Sequence, residues 1–297
     1  MAGFSVGLMN AAGWAKTLEQ AATLARVPVL SHVVVGSFTV AHREGNTGGT
    51  NFRVFPDGTS INSLGLPNGG LDYILSTVKD MVAGIRFSGK KSVVSIAGFS
   101  PVEFAELAGA VCGIGADIIE VNGGCPNVLL EEGKKVPISF EPDAVDMTLA
   151  AVFERVGDFL PVWFKTSPFS DPRGCPALAA VLNRYPLEAV VSSNTLPDTS
   201  AFTEDGNPAL DVADNFGGMA GTALKPIALG QCRKLRRLLR SDIGLVGVGG
   251  IAAGRDVRDY ERAGASSVQV GTAFFKNEDP RVFEDIVSEY LDLADAA

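Results

Sequence analysis

Short β-branched apolar runs alternate along this chain with segments whose apolar residues recur at helical spacing. Eight runs read as strands: residues 4–10, 31–36, 92–97, 117–122, 161–166, 189–194, 243–248 and 267–271. The segments between them read as amphipathic helices. In 17–25, Thr17-x-x-Gln20 is a capping box, and Leu18, Ala21, Ala22 and Ala25 share one face. Further helices are predicted over 71–82, 101–111, 142–156, 176–185, 226–239, 254–263 and 280–293, and several begin with proline in the first turn, where its missing N–H costs nothing. Eight strands, each followed by a helix, predict a (β/α)8 TIM barrel in one domain, with an open doubly wound sheet as the rival. No linker, repeat or low-complexity stretch divides the chain. Two strand-to-helix connections are long, 37–70 and 123–141. In a barrel such connections sit at the carboxyl ends of the strands, where active sites are built.

Composition narrows the partners. A chain of 297 residues and 31.0 kDa, 46% hydrophobic with mean hydropathy +0.21, supports a packed core. Its net charge of −9 argues against nucleic acid and anionic membrane surfaces as partners. A small pocket still binds anions locally, so a phosphate-bearing cofactor stays open. Four dispersed cysteines and two histidines offer no metal cage. The opening MAGFSVGLMNAAGW lacks the pattern of a secretory leader, and the apolar stretch 27–35 is interrupted and too short to span a bilayer. The expectation is a soluble cytoplasmic protein with reduced thiols.

Polar residues collect where a barrel would place a site. Asn10, Asn122, Lys165 and Asn194 end the first, fourth, fifth and sixth strands. Each asparagine alone is an ordinary turn former, but a lysine closing the apolar run VWFK needs an anionic or polar partner. Gly217-Gly218, Gly249-Gly250 and Gly271-Thr272 suit a backbone cradle for phosphate, or else are simple turns. The segment EVNGGCPN (120–127) sets Cys125 between Asn122 and Asn127. Asparagines present both donors and acceptors to a cyclic amide edge, and an accessible thiolate serves as base or nucleophile. Cys112, Cys175 and Cys232 fall in helical patterns and are assigned to packing.

These motifs carry a resemblance. HREGN (42–46), INSLGLPN (61–68), VNGGCPN (121–127), KTSP (165–168), SNT (193–195), GGMAGTALKP (217–226), VGVGGI and AGASSVQVGTAFF together resemble the dihydroorotate dehydrogenases, specifically the soluble class 1 branch that uses FMN. The resemblance spans nearly the whole chain. It implies that Asn62, with Leu64, Gly65 and Leu66, holds a substrate carboxylate, and that Asn122, Asn127, Asn194 and Thr195 read the ring. Cys125 would remove the C5 proton while C6 delivers hydride to flavin N5. Lys165 would stabilise negative charge at the N1/O2 edge of the flavin. Ala11, Ala12, Gly13, Gly36, Ser37 and Asn122 would lie near the flavin, and Gly218, Gly249, Gly250, Gly271 and Thr272 near its phosphate. A homodimer is implied as well.

The chain also departs from the pattern. The family ends its second strand with a lysine that contacts flavin and substrate; the matching position here is Gly36. TGGTNFR replaces a proline-rich turn, with Arg53 the counterpart of a loop arginine, and Gly124 replaces a serine. The cofactor machinery thus survives better than the substrate machinery. The expected activity is dihydroorotate oxidation. The alternatives are the same chemistry on a different small ring, or a non-redox barrel, an isomerase or lyase binding a phosphorylated substrate. With neutral donors in place of the lysine, weaker carboxylate binding is expected, restored by Gly36→Lys if the pocket has room.

Overall fold

A computed structural model describes residues 4–130 and 133–295. All eight predicted barrel strands are present, though often shorter than their apolar runs. In chain order the strands are β1 (Gly7–Asn10), β2 (His32–Phe38), β3 (Phe52–Val54), β4 (Thr59–Asn62), β5 (Lys91–Ile96), β6 (Ile118–Asn122), β7 (Leu129–Leu130), β8 (Gly133–Lys134), β9 (Val162–Lys165), β10 (Ala189–Ser192), β11 (Leu196–Thr199), β12 (Gly217–Gly221), β13 (Gly244–Val248) and β14 (Ser267–Val270). Eight of them form one parallel sheet in the order β1-β14-β13-β10-β9-β6-β5-β2, a nearly closed barrel with helices between successive strands. This settles the rivalry in favour of the TIM barrel.

The closing seam between β1 and β2 is made largely by a side chain, beside one backbone bond from Ser31 N–H to the Leu8 carbonyl at 3.0 Å. No backbone ladder joins these two strands in the sheet. Instead the Asn10 amide donates to the Val34 carbonyl at 2.7 Å, and its carbonyl accepts from the Val34 N–H at 2.9 Å. A carboxamide reproduces the donor–acceptor pair of a peptide group, which is why asparagine stitches a seam that the ladder leaves open.

Strand alternation divides the core in two. Met9, Val34, Val93, Ile118, Trp163, Ala189, Val191 and Val246 fill the barrel interior. Their neighbours Leu8, Val33, Val35, Val94, Ile119, Phe164 and Val268 face the helices. Period-two alternation on strands buried on both faces gives near-continuous apolar runs, which made these strands easy to see in the sequence. Towards the carboxyl ends the inward positions turn polar: Ser95, Glu120, Lys165 and Gln269 are all buried.

The first helix follows its predicted cap. Thr17 and Gln20 form the capping box, and the helix Pro142–Val156 matches its expectation. The stretch predicted over 71–82 runs longer, with a π turn at Ile74–Val78 between Gly70–Tyr73 and Lys79–Phe87. A second sheet, in the order β11-β12-β4-β3, is antiparallel and built from the 37–70 connection and the segment that follows β10. It roofs the carboxyl end of the barrel. The hairpin β7–β8 also arises from a connection read as loop.

Candidate active site

An open cavity of about 1280 Å³, mouth included, lies between the barrel's carboxyl end and this roof. Ala11, Ala12, Gly13, Ser37, Asn62, Leu64, Gly65, Leu66, Asn122, Cys125, Asn127, Lys165, Asn194, Thr195, Gly249, Gly250, Gly271 and Thr272 all line it. The sequence reading therefore gathers its candidates on one surface. Gly36 and Gly218 are the exceptions and do not line it. Among the described residues that line it, the only charged side chains are Lys16, Lys165 and Lys276, and none is a carboxylate. An acidic protein has built a locally cationic pocket, which favours anionic ligands.

One end of the cavity is made of backbone. Gly249 and Gly250 follow β13 at φ +130° and +66°, conformations that side-chain-bearing residues adopt at a cost. A Cβ on Gly250 would sit 2.5 Å from Lys225 Cβ and 2.9 Å from the Gly221 carbonyl. Across from them, Gly271 and Thr272 follow β14, and the Thr272 hydroxyl pairs with Ser60 Oγ at 2.7 Å. Lys225 is turned away, held by Asp256 at 2.6 Å and Asp259 at 2.7 Å. Such a glycine-lined end suits close approach of a phosphate to the main chain.

The other end is made of side chains. β4 brings Asn62, whose amide donates to the Gly218 carbonyl at 3.1 Å while its own carbonyl accepts from Asn127 Nδ2 at 2.9 Å. Asn194 Nδ2 donates to Asn122 Oδ1 at 3.0 Å, and Asn122 Nδ2 donates to Ser37 Oγ at 2.9 Å. Asn127 Oδ1 and Thr195 Oγ1 are buried and have no partner within the protein. Buried polar atoms are almost always paired; of the four such orphans among the described residues, these two belong to residues that line the cavity, while Trp14 Nε1 and Ser192 Oγ do not. The turn 64–66 is braced by Asn46, which bonds Ser63 Oγ at 3.0 Å and the Asn127 carbonyl at 3.1 Å.

Cys125 sits among these asparagines, partly exposed. Burial pushes its thiol up from the ordinary range; the Asn127 N–H and the cations Lys135, Lys16 and Arg43 pull the other way. Lys165, 4% exposed, has the partners that its place on an apolar strand demands. Its Nζ donates to Gln269 Oε1 at 2.8 Å and lies 3.7 Å from Glu120 Oε1.

Lys16 is the residue that sequence reasoning missed. It lies on the connection after β1 and donates to the Pro67 carbonyl at 2.6 Å. Desolvation lowers its pKa to about 8, an effect that the nearby Cys125 partly offsets. Its connection is laced to Gly36 by two backbone bonds, Gly13 N to Gly36 O at 2.7 Å and Gly36 N to Ala15 O at 2.9 Å. A cation thus enters the cavity beside the position where the sequence reading noted one missing. In sequence, a lysine one residue before a helix cap reads as surface, and only the path of the connection turns it inward.

Three expectations are corrected. Gly36 has φ +102°, and a Cβ there would meet the Ser95 carbonyl at 2.6 Å and the Phe38 ring at 2.9 Å. No room exists for Gly36→Lys, which would strain the strand instead of restoring a contact. Arg53 does not line the cavity; its Nε donates to the Ala209 carbonyl at 3.1 Å. Asn10, grouped with the site by its strand-end position, is buried at the barrel seam and does not line the cavity.

The family profile described as dihydroorotate dehydrogenase matches residues 2–293. The chain belongs to the dihydroorotate dehydrogenase family. A Streptococcus agalactiae serotype Ia protein named as a dihydroorotate dehydrogenase A (fumarate) is 31% identical over 297 residues, covering 99% of this chain and 92% of that protein. A similarly named Streptococcus pneumoniae serotype 4 protein is 32% identical over 288 residues, covering 95% and 87%. Among solved structures, the DHODH of Eimeria tenella, crystallised in complex with ferulenol, superposes with TM-score 0.79. It covers 97% of this chain and 81% of that one at 20% identity, a likeness of fold. The class 1 resemblance and the barrel are in this way confirmed, and the family supports an oxidoreductase. Among the described residues no helix is long and apolar enough to cross a membrane, and no cluster of His, Cys, Asp and Glu could hold a metal ion.

Proposed function

We propose that this chain is an FMN-dependent oxidoreductase that oxidises dihydroorotate to orotate with Cys125 as base. The observation that carries the reading is convergence. Cys125, four asparagines and the cations Lys16 and Lys165 surround one cavity whose far end is bare backbone. The orphaned Asn127 Oδ1 and Thr195 Oγ1 support a polar ring beside Cys125, and the glycine end fits a phosphate-bearing cofactor. Ala11, Ala12, Gly13, Ser37 and Lys165 would hold the flavin, and Gly249, Gly250, Gly271 and Thr272 its phosphate. Bound there, FMN supplies the two-electron acceptor that oxidation of a carbon–carbon bond requires.

The chain's own residues do the rest. Asn62, Asn122, Asn127 and Asn194 fix the ring by donors and acceptors, while Lys16 and the turn 64–66 take its carboxylate. Charge-assisted bonds of this kind outweigh neutral ones, so Lys16 answers the loss of a lysine at Gly36 and supports an anionic substrate over a neutral ring. Cys125 acts as the thiolate, whose Sγ takes the proton from carbon and becomes the thiol; burial opposes the thiolate, while the Asn127 N–H and the cations Lys135, Lys16 and Arg43 favour it.

The test is anaerobic. Protein loaded with FMN should bleach at the flavin absorbance on addition of dihydroorotate, and not with the neutral dihydrouracil. Bleaching by dihydrouracil alone would move the reading to a different ring, and a protein that stays colourless after FMN addition would favour the non-redox barrel. Light scattering at twice 31.0 kDa would establish the implied homodimer.

A further inference from the structure

Glu120 is fully buried inside the barrel, on β6, and does not line the cavity. Its charge is balanced by Lys165 at 3.7 Å. Burying a carboxylate is expensive unless it is paired and hydrogen-bonded. Both of its oxygens are engaged: Oε1 accepts from Ser95 Oγ at 3.0 Å, and Oε2 accepts from Gln269 Nε2 at 2.7 Å.

A carboxylate facing an ammonium offers acceptors only, and this fixes every bond beyond it. Ser95 has one proton, and Glu120 takes it. In the 2.8 Å contact between Ser37 and Ser95, the donor must therefore be Ser37. Ser37, its proton spent, accepts from Asn122 Nδ2 at 2.9 Å. Asn122 is then held with its carbonyl towards Asn194 Nδ2 at 3.0 Å and the Gly124 N–H at 3.2 Å. The Asn194 carbonyl in turn accepts from the Thr195 N–H at 2.7 Å. A second arm runs the other way: Gln269, with its amide committed to Glu120, points its carbonyl at Lys165 Nζ, 2.8 Å away.

We propose that Glu120 is a positioning residue whose negative charge sets the donor–acceptor direction of both arms. Together with the Gly124 and Thr195 N–H groups that hold the Asn122 and Asn194 carbonyls, it secures these amides on one side, and it aims Lys165 on the other. The inference rests on the reading of the cavity as a flavin and ring site. Within these bonds each of the two asparagines keeps one amide hydrogen unspent, so this wall offers donors to ring carbonyl oxygens.

Glu120→Gln makes the test sharp because the shape is kept and the symmetry lost. A carboxamide placed with its oxygen towards Ser95 turns an NH2 against the NH2 of Gln269, which must flip and drive a donor at the Lys165 ammonium. Placed the other way, it donates a hydrogen bond to Ser95 and turns the Ser95–Ser37 contact around, leaving the Ser37 hydroxyl without its acceptor. One arm is frustrated in either case. We expect orotate affinity of the oxidised holoprotein, read by flavin spectral shift, or FMN affinity of the apoprotein, read by fluorescence quenching, to fall about tenfold. The loss should appear in KM more than in kcat when it lies on the asparagine arm. Ser95→Ala, a milder change that keeps the ion pair, should weaken orotate about 2–10-fold and leave FMN affinity alone.

A flavin-free readout separates this inference from the reading it rests on. With 15N-asparagine labelling of apoprotein, the side-chain amide resonances of Asn122 and Asn194 should shift in Glu120→Gln and in Ser95→Ala. Assignment comes from their loss in Asn122→Asp and Asn194→Asp. Wild-type protein that ignores FMN and orotate would defeat the functional reading, while shifted amides would still uphold the relay. Amides unmoved in both variants, or in Ser95→Ala alone if Glu120→Gln does not fold, would overturn the role of Glu120.

Discussion

The two ends of the cavity are built from different materials. The end proposed for the phosphate is backbone: glycines at positive φ, with the neighbouring Lys225 neutralised by two aspartates. The ring end is side chain: a cysteine, four asparagines, a threonine and Lys16. Backbone recognition depends on the fold and on glycine being absent of a side chain, so few substitutions alter what it binds. Side-chain recognition is adjustable, and the adjustment is visible here. The cation missing at Gly36 enters from a neighbouring connection that is hydrogen-bonded to Gly36 itself. On the proposed function, one end would hold a common cofactor group and the other would set the substrate preference.

Variants at the ring end should spare the flavin, and variants at the phosphate end should lose it. The largest effect is expected from Cys125→Ala. Positioned general bases contribute about 10²–10⁴-fold in rate, so anaerobic flavin reduction by dihydroorotate should fall by that order with FMN content unchanged. Stopped-flow bleaching measures it, and a wild-type rate would place the base elsewhere.

Next comes Gly250→Val at the opposite end. A β-branched residue at φ +66°, with its Cβ pressed on Lys225, would cost on the order of 1–3 kcal/mol in strain, or move the turn. Flavin retention, read from the absorbance ratio of purified protein, should drop about tenfold or more. Undiminished flavin would detach the phosphate from this turn.

Lys16→Met should weaken orotate by about 10–100-fold, the range for a charge-assisted bond, with FMN content again unchanged. The same lysine gives a pH signature. Its pKa is lowered by burial to about 8, so it loses its proton as pH rises through 8, and wild-type orotate affinity should decline above that point. The methionine variant should show a flat profile there. The folding linkage has the opposite sense: the unfolded chain holds this proton up to its ordinary 10.5, so Lys16 contributes rising stability between about 8 and 10.5. Denaturation midpoints across that window test it.

The smallest effect is assigned to Thr195→Val. Its Oγ1 is an orphan awaiting one neutral hydrogen bond, and such bonds are worth about 0.5–1.5 kcal/mol. Orotate titration should return a loss of roughly 2–10-fold.

Much of this was legible before any coordinates. The eight barrel strands are buried on both faces, so their apolar runs stand out, and the helices carry clear caps. The roof sheet was not legible. FRV, TSIN, LPDT and GGMAG are short, polar or glycine-rich, and become strands only through pairing with distant segments. The site showed the same division. Cys125, the asparagines and Lys165 sit on motifs or strand ends, where register alone predicts their aim. Lys16 and Glu120 carry no local signal. One depends on the path of a connection, and the other on which neighbours share the barrel interior.

The roof has a kinetic consequence. Asn62 is carried on β4, and β4 is paired with β12, so that Asn62 lies opposite Gly218, more than half the chain away. Contacts of such sequence separation are slow to form because loop closure precedes any gain from them. The ring end of the cavity thus draws on a segment that follows the sixth of the eight barrel strands. A ligand that binds there grips the finished fold and nothing earlier. At a concentration of 100 times its Kd, it would add about 2.7 kcal/mol to unfolding, and it would do so by slowing the opening of this late-formed roof.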